Sequence, residues 1–517
     1  MKLRIVPLLL ALLMLCSCGK VDEDTPYDPL AELQDYYGAQ QEDDPVPLTT
    51  FTLPYHSGET WDPFTCRDGI QQTLSSLVYE TMYTLDETFT PRPQLIRSAE
   101  YDPETFTYTF HVHDGVRFSD GVVMTAQDVA DSLRRAQLSP RYATRLYQME
   151  NVSVQGDTVL VTLTEENRSF TALLDIPVVQ SGTEDAFIPV GTGPYRPTED
   201  LTQLVFNSAW WQSKTLPFSE IALLPYKTEE AAAYAFSSND VHLFVYDFLG
   251  GADYLSASDD SSIGLDTGIM HYLAFNFNRE SLNDPALRCA IALAIDRDEV
   301  VNACLAGHAV AAYFPLSPVS PLYPTALEQS SSVTAHEAME ALSLTDGEDK
   351  LSLRLLVNSE NSFKLAAAEH IALTLNRYDF EVTVMALDWE DYLYALGAGD
   401  YDLYYGECKL SADWDLTPLL GVEGRLNYGG YIDPEMEALL LDVKQAEDAA
   451  RTAAMEALCR YLQARSPIIP LGFKQVDLLL PQGAVEAVTP TAANPFYGLE
   501  HWQVHWGESV NVAEEAE

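Results

Sequence analysis

The sequence predicts an α/β protein with more than one domain, on three observations. The 517 residues exceed what one hydrophobic core usually supports, and 47% of them are hydrophobic. Residues 351–384 are predicted to form a strand, a helix and a second strand. Apolar residues alternate at both ends of this segment, as in strands, and are spaced four apart in its middle, as in a helix. Residues 106–113 alternate as well and predict a β-rich region earlier in the chain. A right-handed crossover would make the two strands of 351–384 parallel neighbours in one sheet.

The N-terminus predicts export. Lys2 and Arg4 precede the apolar stretch 5–15, whose 11 residues are too few to span a bilayer, which takes about 20. The segment Leu15-Cys16-Ser17-Cys18 resembles a bacterial lipobox, which implies cleavage before Cys18 and a lipid on its sulfur. An ordinary secretory signal with incidental cysteines is the alternative. We therefore expect 1–17 to be a lipoprotein signal peptide. Cys18 would anchor the chain to the outer face of the cell membrane, on the periplasmic side where a second membrane exists.

The ends of the mature chain are acidic. Residues 18–46 combine Asp and Glu runs with scattered prolines, and 506–517 end in glutamates. Low hydrophobicity and high charge favour disorder, so we expect an acidic flexible tether at 18–46 and an acidic tail at 506–517.

The overall charge and the cysteines limit the partners. The formal net charge is −49, from 78 acidic and 29 basic residues. This charge argues against nucleic acid, because binding needs Lys and Arg to neutralise phosphates. Beyond Cys16 and Cys18 five cysteines remain, none of them in a C-x-x-C pair. An odd number without that spacing predicts neither a disulfide framework nor a zinc site, and no cofactor is expected.

Helix signals are clear at two places. Thr125 is predicted to be an N-cap with Asp128 reaching back to it, a capping box. Asp284 and Pro285 predict the start of a second helix, which Asp296 restarts and Gly307 ends. Residues 401–405 are predicted to add a strand to the sheet of 351–384.

Several motifs stand in a fixed order along 47–505. The most specific runs from Phe110 to Gly121 and continues into Thr125-Ala-Gln-Asp-Val129. The others are Trp61-Asp62-Pro63 with Leu77-Val78-Tyr79-Glu80, Gly191-Thr-Gly-Pro-Tyr195, Phe275-Asn276 with Ala294-Ile-Asp-Arg297, Ser411-Ala-Asp-Trp414 and Ile469-Pro-Leu471. Together they resemble the family 5 extracellular solute-binding proteins of peptide and nickel ABC importers, which include dipeptide- and oligopeptide-binding lipoproteins. One match would be weak evidence, whereas this series behind a lipobox is specific.

The resemblance implies a two-lobed, periplasmic-binding-protein-like α/β fold with a hinge between the lobes. Lobe one would comprise 47–270 and 476–505, with an extra β-rich subdomain at 64–185. Lobe two would span 271–475, and the ligand would bind in the cleft between the lobes. The strand–helix–strand pattern of 351–384 agrees with this architecture.

The function that the resemblance implies is that of the substrate-binding component of an ABC importer. Such a protein, expected as a monomer, captures peptides in the interlobe cleft and delivers them to a membrane permease complex. The same fold binding a nickel chelate, a sugar or another small solute is the alternative, and a surface-anchored hydrolase is a third hypothesis. No G-x-S-x-G elbow or P-loop occurs, so no catalytic residue is predicted and an enzyme is not expected.

Three ligand-binding residues follow from the resemblance. Asp413 matches the aspartate that holds the ligand's α-ammonium in peptide-binding members, and a solvated or capping aspartate is the alternative. Trp414 stands where the family often has Tyr. Arg67 lies in a loop that lines the cleft in relatives and would pair with a ligand carboxylate, although a surface arginine explains it equally. Glu407 and Lys409 depart from the family's pattern and leave the peptide class open.

Two other motifs have structural explanations. His111 and His113 alternate along a strand and predict its polar face rather than a metal site. The segment Gly191-Thr-Gly193 lacks the third glycine and the lysine of a phosphate loop, and predicts a tight turn fixed by Pro194.

Overall fold

The structure, a computed structural model, describes residues 48–250, 255, 262–328, 333–344 and 350–507. The predicted signal peptide, Cys18, the tether and nearly all of the acidic tail lie outside the described residues.

The described residues form strands and helices throughout. The strands are β1 (Thr52–His56), β2 (Tyr83–Leu85), β3 (Pro91–Pro93), β4 (Ile96–Asp102), β5 (Thr107–Val112), β6 (Met149–Gln155), β7 (Thr158–Leu163), β8 (Tyr195–Pro197), β9 (Gln203–Phe206), β10 (Glu220–Tyr226), β11 (Phe244–Tyr246), β12 (Ser262–Phe275), β13 (Ala309–Ala311), β14 (Leu351–Asn358), β15 (Phe380–Leu387), β16 (Leu403–Lys409), β17 (Ile468–Leu479), β18 (Val485–Glu486) and β19 (Gln503–Val504). The α-helices are α1 (Gly69–Val78), α2 (Ala126–Leu138), α3 (Glu229–Ser237), α4 (Pro285–Ala294), α5 (Arg297–Glu299), α6 (Thr325–Glu328), α7 (Ala335–Ala341), α8 (Ser362–Leu375), α9 (Trp389–Ala398), α10 (Thr417–Leu420), α11 (Pro434–Gln445) and α12 (Asp448–Arg465).

Two sheets organise the chain before β11. One has the order β1-β10-β9-β8, with β1 and β10 parallel and the other pairs antiparallel. The other is antiparallel in the order β4-β5-β7-β6. Strand β5 buries Tyr108, Phe110 and Val112 and leaves the residues between them half-exposed, which confirms the alternation predicted for 106–113.

The largest sheet has seven strands in the order β11-β17-β12-β16-β14-β15, with β13 also paired to β17. Strands β14 and β15 are parallel and helix α8 connects them, which confirms the predicted strand–helix–strand unit. Strand β16 pairs in parallel with β14, as predicted for 401–405. Its other neighbour is β12, which is antiparallel to it.

Two antiparallel strands, β12 and β17, carry the chain between two groups of buried residues. Their register shifts between Asp266 and Met270. Leu265 and Leu478 belong to a core that contains the early sheets, whereas Met270 and Phe473 belong to a core built on the seven-stranded sheet. We call the part of the chain around the first core lobe one and the part around the second core lobe two. The predicted domain boundaries themselves stay a prediction.

The predicted helix starts are present. Thr125 and Asp128 form a capping box at the start of α2. The Asp284 carboxylate accepts a hydrogen bond from the backbone N–H of Ala286, which caps α4. Helix α4 ends at Ala294, and α5 restarts beyond it with the Asp296 side chain as its cap. Across the described residues, no helix combines the length and the apolar character that a membrane crossing needs.

Candidate interlobe ligand site

A cavity of about 290 Å³ lies between lobe one and strand β16 of lobe two. Most of its wall is polar, from lobe one and the returning chain, and Lys409 is the residue that lobe two contributes. The lining comprises Gly69, Gln72, Thr73, Ser75, Ser76, Tyr79, Thr81, Thr84, Leu85, Gln94, Arg141, Tyr142, Asp175, Pro177, Val245, Lys409, Ala492, Ala493, Asn494 and Pro495.

Helix α1 presents its polar face to the cavity because its other face is buried. The Asp68 carboxylate accepts hydrogen bonds from the backbone N–H of Gln71 at 2.8 Å and the Tyr226 hydroxyl at 2.5 Å, which fixes the start of the helix. Leu74 and Leu77 are both buried in the core of lobe one. The hydroxyl groups of this helix donate to its own carbonyl oxygens, as Ser76 does to Thr73 O at 3.0 Å. Their oxygen lone pairs remain to accept hydrogen bonds from a ligand.

Three cations lie near the Asp175 carboxylate, and two of them, Lys409 and Arg141, line the cavity. Arg145 pairs with Asp175 at 2.6 Å. Neither Lys409 nor Arg141, which line the same cavity, has a carboxylate within 4.0 Å among the described residues. Partial desolvation lowers the pKa of Lys409, which keeps solvent-exposed surface, and Arg145 and Arg141 lower it further while Asp175 opposes them. In a chain with a net charge of −49, this cationic patch favours an anionic group on the ligand.

Asp413 lies outside the 290 Å³ cavity, beside a small cavity of about 10 Å³. Its carboxylate accepts hydrogen bonds from Ser411 Oγ at 2.6 Å and from Asn167 Nδ2 of lobe one at 3.1 Å. Burial raises the pKa of Asp413, and the neighbouring Asp415 carboxylate raises it further. The predicted role of Asp413 as the partner of a ligand ammonium stays a prediction.

Trp414 joins the two lobes. Its backbone φ is +51°, a left-handed conformation that is rare for a bulky residue and is favoured here by a turn, in which its N–H donates to Ser411 O at 2.9 Å. The indole is buried and packs edge-on against Phe89 of lobe one, with 5.3 Å between ring centroids, and against Phe473, with 6.0 Å. Contact between Trp414 and a ligand stays a prediction.

Polar contacts between the lobes continue beyond Asp413. The lobe-one residues Tyr147, Glu165, Asn167 and Arg168 meet Asp413, Asp415, Lys444 and Glu447 of lobe two, and we call these eight residues the interlobe seam. Lys444 Nζ lies 3.2 Å from both Glu165 Oε1 and Asp415 Oδ2. The lobes are therefore held by directional polar contacts, which water can replace when the lobes separate.

Arg67 is exposed in the loop before α1 and does not line the 290 Å³ cavity. Its backbone N–H points to Glu59 Oε2 at 3.5 Å. The side chain of the next residue, Asp68, caps the start of α1, so the loop contributes to the wall of the cavity through Asp68 rather than through the Arg67 side chain. The pairing of Arg67 with a ligand carboxylate stays a prediction.

Sequence reasoning did not assign Lys409 or Arg141 to the site, nor the returning segment 492–495. Lys409 was visible only as a departure from the family's pattern, and Arg141 is one of several arginines after α2. Strand β12, which carries the chain into lobe two, pairs Ile269 with Lys409 of β16, whereas 492–495 come after the return of the chain through β17. Local sequence patterns do not predict these long-range relationships.

No group of three or more His, Cys, Asp or Glu side chains within the described ranges is arranged to hold a metal ion. The His113 ring packs against the Trp211 ring at 5.2 Å between centroids.

The chain shares its fold with solved two-lobed binding proteins. The unliganded open form of the periplasmic murein tripeptide-binding protein MppA superposes with a TM-score of 0.74 at 18% identity, over 89% of this chain and 99% of MppA. A nickel ABC transporter protein from Bacillus halodurans gives a TM-score of 0.73 at 19% identity, over 86% of this chain and 98% of that chain.

Sequence relatives point to the same group. The glutathione-binding protein GsiB of Escherichia coli K12 is 22% identical over 451 residues, which cover 80% of this chain and 86% of GsiB. GsiB of Pectobacterium atrosepticum is 26% identical over 274 residues, a match that spans 49% of this chain and 53% of that relative. The model of the bacterial extracellular solute-binding proteins, family 5, matches residues 90–419, well over half of the chain. The chain therefore belongs to family 5 of the bacterial extracellular solute-binding proteins.

Proposed function

We propose that this protein is the substrate-binding component of an ABC importer and that it captures peptides in the interlobe cleft and delivers them to a membrane permease. The observation that carries the proposal is the cavity of about 290 Å³ in which Lys409 of one lobe and Arg141 of the other lack carboxylate partners among the described residues. A peptide carboxylate would bridge the lobes there, and a ligand that contacts both lobes favours the closed state.

Isothermal titration calorimetry tests the anion requirement. We expect a tripeptide with a free C-terminal carboxylate to bind, and its C-terminal amide to bind about 10- to 100-fold more weakly, since a charge-assisted hydrogen bond is lost. Lys409→Met should remove most of this difference. Lys227→Met, at an exposed lysine outside the cavity, should leave it unchanged. Equal affinity for acid and amide in the unaltered protein contradicts the assignment.

The ammonium end of the peptide is assigned to Asp413, on the family resemblance. Because the Asp413 carboxylate already accepts from Asn167 of lobe one, the ammonium would have to replace that contact while the lobes are apart. Asp413→Asn keeps the shape and removes the charge. We expect it to weaken free peptides by about two to four decades while N-acetylated peptides bind both forms poorly. Equal affinities in all four pairings exclude this role.

A non-peptide solute in the same cleft is the second candidate. A nickel chelate of an amino acid also carries a carboxylate, so the cationic patch does not separate it from peptides. Native mass spectrometry of the protein purified without denaturation identifies a retained ligand by its mass. The absence of hydrolysis products after incubation with peptide and ester pools would support a binding role over a catalytic one.

Delivery to a permease is tested by reconstitution with a peptide ABC permease complex from the same organism and measurement of peptide uptake. The lipid anchor is assigned to Cys18, on the lipobox resemblance. Cys18→Ala should release the protein from the membrane and abolish labelling by radioactive palmitate, whereas Cys16→Ala should change neither. Equal palmitate labelling of Cys18→Ala would exclude Cys18 as the attachment site.

A further inference from the structure

A second cavity, of about 440 Å³, adjoins the ligand cavity inside lobe one. The two cavities share Ser76, Thr84, Gln94 and Asn494 in their linings, so they are direct neighbours along these four residues. We call the second cavity the aromatic chamber, after Trp210, Trp211, His113, Phe496 and Tyr497 in its wall.

The indole N–H groups of the two chamber tryptophans are fixed by hydrogen bonds. Glu80, which is 3% exposed, accepts hydrogen bonds from Trp210 Nε1 at 3.1 Å and Trp211 Nε1 at 2.7 Å, and from Gln212 Nε2 at 2.7 Å. Both indoles are only half-buried, so each keeps accessible ring surface while its nitrogen is fixed. An aromatic side chain whose N–H group is already hydrogen-bonded has little conformational freedom left to lose. It can therefore pack against a ligand ring at a low entropic cost.

The charges of the chamber are paired, in contrast to those of the ligand cavity. Glu80 has its three donors, and Lys214 Nζ lies 2.5 Å from Glu500 Oε1. The adjoining ligand cavity has Lys409 and Arg141 without carboxylate partners among the described residues. The cavities therefore differ in chemistry: one favours an anion and the other a neutral ring.

We propose that the aromatic chamber receives an aromatic side chain of the ligand whose charged group lies in the cleft, and so selects ring-bearing peptides among peptides of one length. This inference rests on the proposed function. A ring that reaches the chamber from the cleft would pass Ser76 and Thr84, which line both cavities. The two residues are half-buried and lie on different elements, helix α1 and strand β2, so each can be enlarged independently to block that route.

The experiment compares Ala-Ala-Ala with the three tripeptides that carry Phe at one position, by calorimetry on four proteins. In the unaltered protein at least one Phe peptide should bind about tenfold tighter than Ala-Ala-Ala. Because Ser76 and Thr84 also line the ligand cavity, the advantage is taken as the ratio of the Phe-peptide affinity to the Ala-Ala-Ala affinity within each protein. Ser76→Phe and Thr84→Phe should reduce this ratio to about one. Ser98→Phe, on exposed strand β4, is the matched control and should keep the advantage. Circular dichroism and melting curves establish that each variant is folded.

A second probe makes the chamber testable without a peptide site. N-Acetyl-4-fluorophenylalanine amide is neutral, and its binding is followed by ¹⁹F NMR. Suppose that no tripeptide binds, and that the probe binds the unaltered protein but neither Ser76→Phe nor Thr84→Phe. The proposed peptide function is then wrong, and the proposal that the chamber binds an aromatic ring is supported. The chamber proposal is overturned if the Phe advantage is absent or survives both blocking substitutions. It is also overturned if neither the tripeptides nor the probe binds, or if N-acetylglucosamine binds the chamber and the fluorinated ring does not.

Discussion

The Asn167 side-chain amide donates a hydrogen bond of 3.1 Å to the Asp413 carboxylate, although 246 residues separate the two in sequence. Asn167 belongs to lobe one and Asp413 to lobe two, so this contact exists only while the lobes are together. The same amide also donates to Gln148 at 2.8 Å, and its oxygen accepts from the backbone N–H of Ser169 at 2.9 Å. Asn167 is therefore presented to lobe two in a fixed orientation.

Asn167→Asp should open the lobes at neutral pH. The substitution keeps the size of the side chain and places a second carboxylate against that of Asp413, where two like charges repel. Small-angle scattering should give a larger radius of gyration than for the unaltered protein, and acidification should reverse part of the change as the pair takes up a proton. Asn151→Asp, on an exposed position of β6, is the control. Unchanged scattering at neutral pH would show that the interlobe seam does not hold the lobes.

Lys444→Met should destabilise the protein strongly. Lys444 is 8% exposed and lies between Asp415 and Glu165. Burial opposes its charge, but the Asp415 carboxylate and its neighbours outweigh burial and raise the pKa of Lys444. Methionine fills the space and leaves the nearly buried Asp415 carboxylate without its cation, at a cost of about 3–5 kcal/mol in the free energy of unfolding.

Chemical denaturation measures this loss. Arg460→Met removes an exposed ion pair with Glu456, whose contribution should be below about 1 kcal/mol. Similar losses for Lys444→Met and Arg460→Met would contradict a structural role for the buried pair.

His271 should make stability depend on pH below neutrality. Burial lowers the pKa of His271 to about 4, against the opposing effect of Glu407 and with Lys364 and Lys474 adding to the decrease. The unfolded chain keeps a pKa near 6.5 and so takes up a proton first as the pH falls. His271 therefore contributes no pH dependence above pH 6.5. Between pH 6.5 and 4 it lowers the free energy of unfolding by up to about 1.4 kcal/mol for each unit by which the pH falls.

His271→Asn tests this dependence, because the shorter side chain keeps a polar group for the Tyr405 hydroxyl, which lies 3.0 Å from Nδ1. The difference in unfolding free energy between the unaltered protein and His271→Asn should be constant above pH 6.5 and shift in favour of the variant below it. His336→Asn, at an exposed histidine, controls for loss of an imidazole. A difference that stays flat from pH 7 to 5 would contradict the buried neutral state.

Local signals in the sequence account for much of the fold. The Thr125–Asp128 capping box and the alternation in β5 depend on residues within one element, and both are present. Strands β14 and β15 are joined by a single helix, so their parallel pairing follows from the short connection.

The candidate site was less accessible to such reasoning. Lys409 lies on β16, which pairs with the crossing strand β12, and it lines the same cavity as Arg141 although the two are far apart in sequence. In the aromatic chamber, Glu80 follows the end of helix α1 and accepts hydrogen bonds from the side chains of Trp210, Trp211 and Gln212, which are distant in sequence. Neither grouping produces a periodic pattern. The resemblance to the family includes Glu80, in the motif Leu77-Val78-Tyr79-Glu80, but not Lys409, Arg141 or the tryptophans at 210 and 211.

The backbone at Gly191 should be intolerant of any side chain. A Cβ atom at Gly191 would lie 2.1 Å from the backbone oxygen of Val78, and one at Gly193 would lie 2.5 Å from that of Leu77. Gly193 donates its N–H to Val78 O at 2.9 Å, so the two backbones touch where helix α1 ends. Gly191→Ala should therefore cost at least about 3 kcal/mol in the free energy of unfolding, because backbone atoms cannot rotate away as a side chain can. Gly397→Ala, in helix α9 with no atom within 4 Å of the added Cβ, is the matched control and should stabilise the protein by about 0.5–1 kcal/mol. Urea denaturation of the two variants measures both effects. Gly191 packs against the end of α1, whose polar face lines the ligand cavity, so a folded Gly191→Ala protein should also bind ligand more weakly. Unchanged stability of Gly191→Ala would show that the two backbones are not in contact.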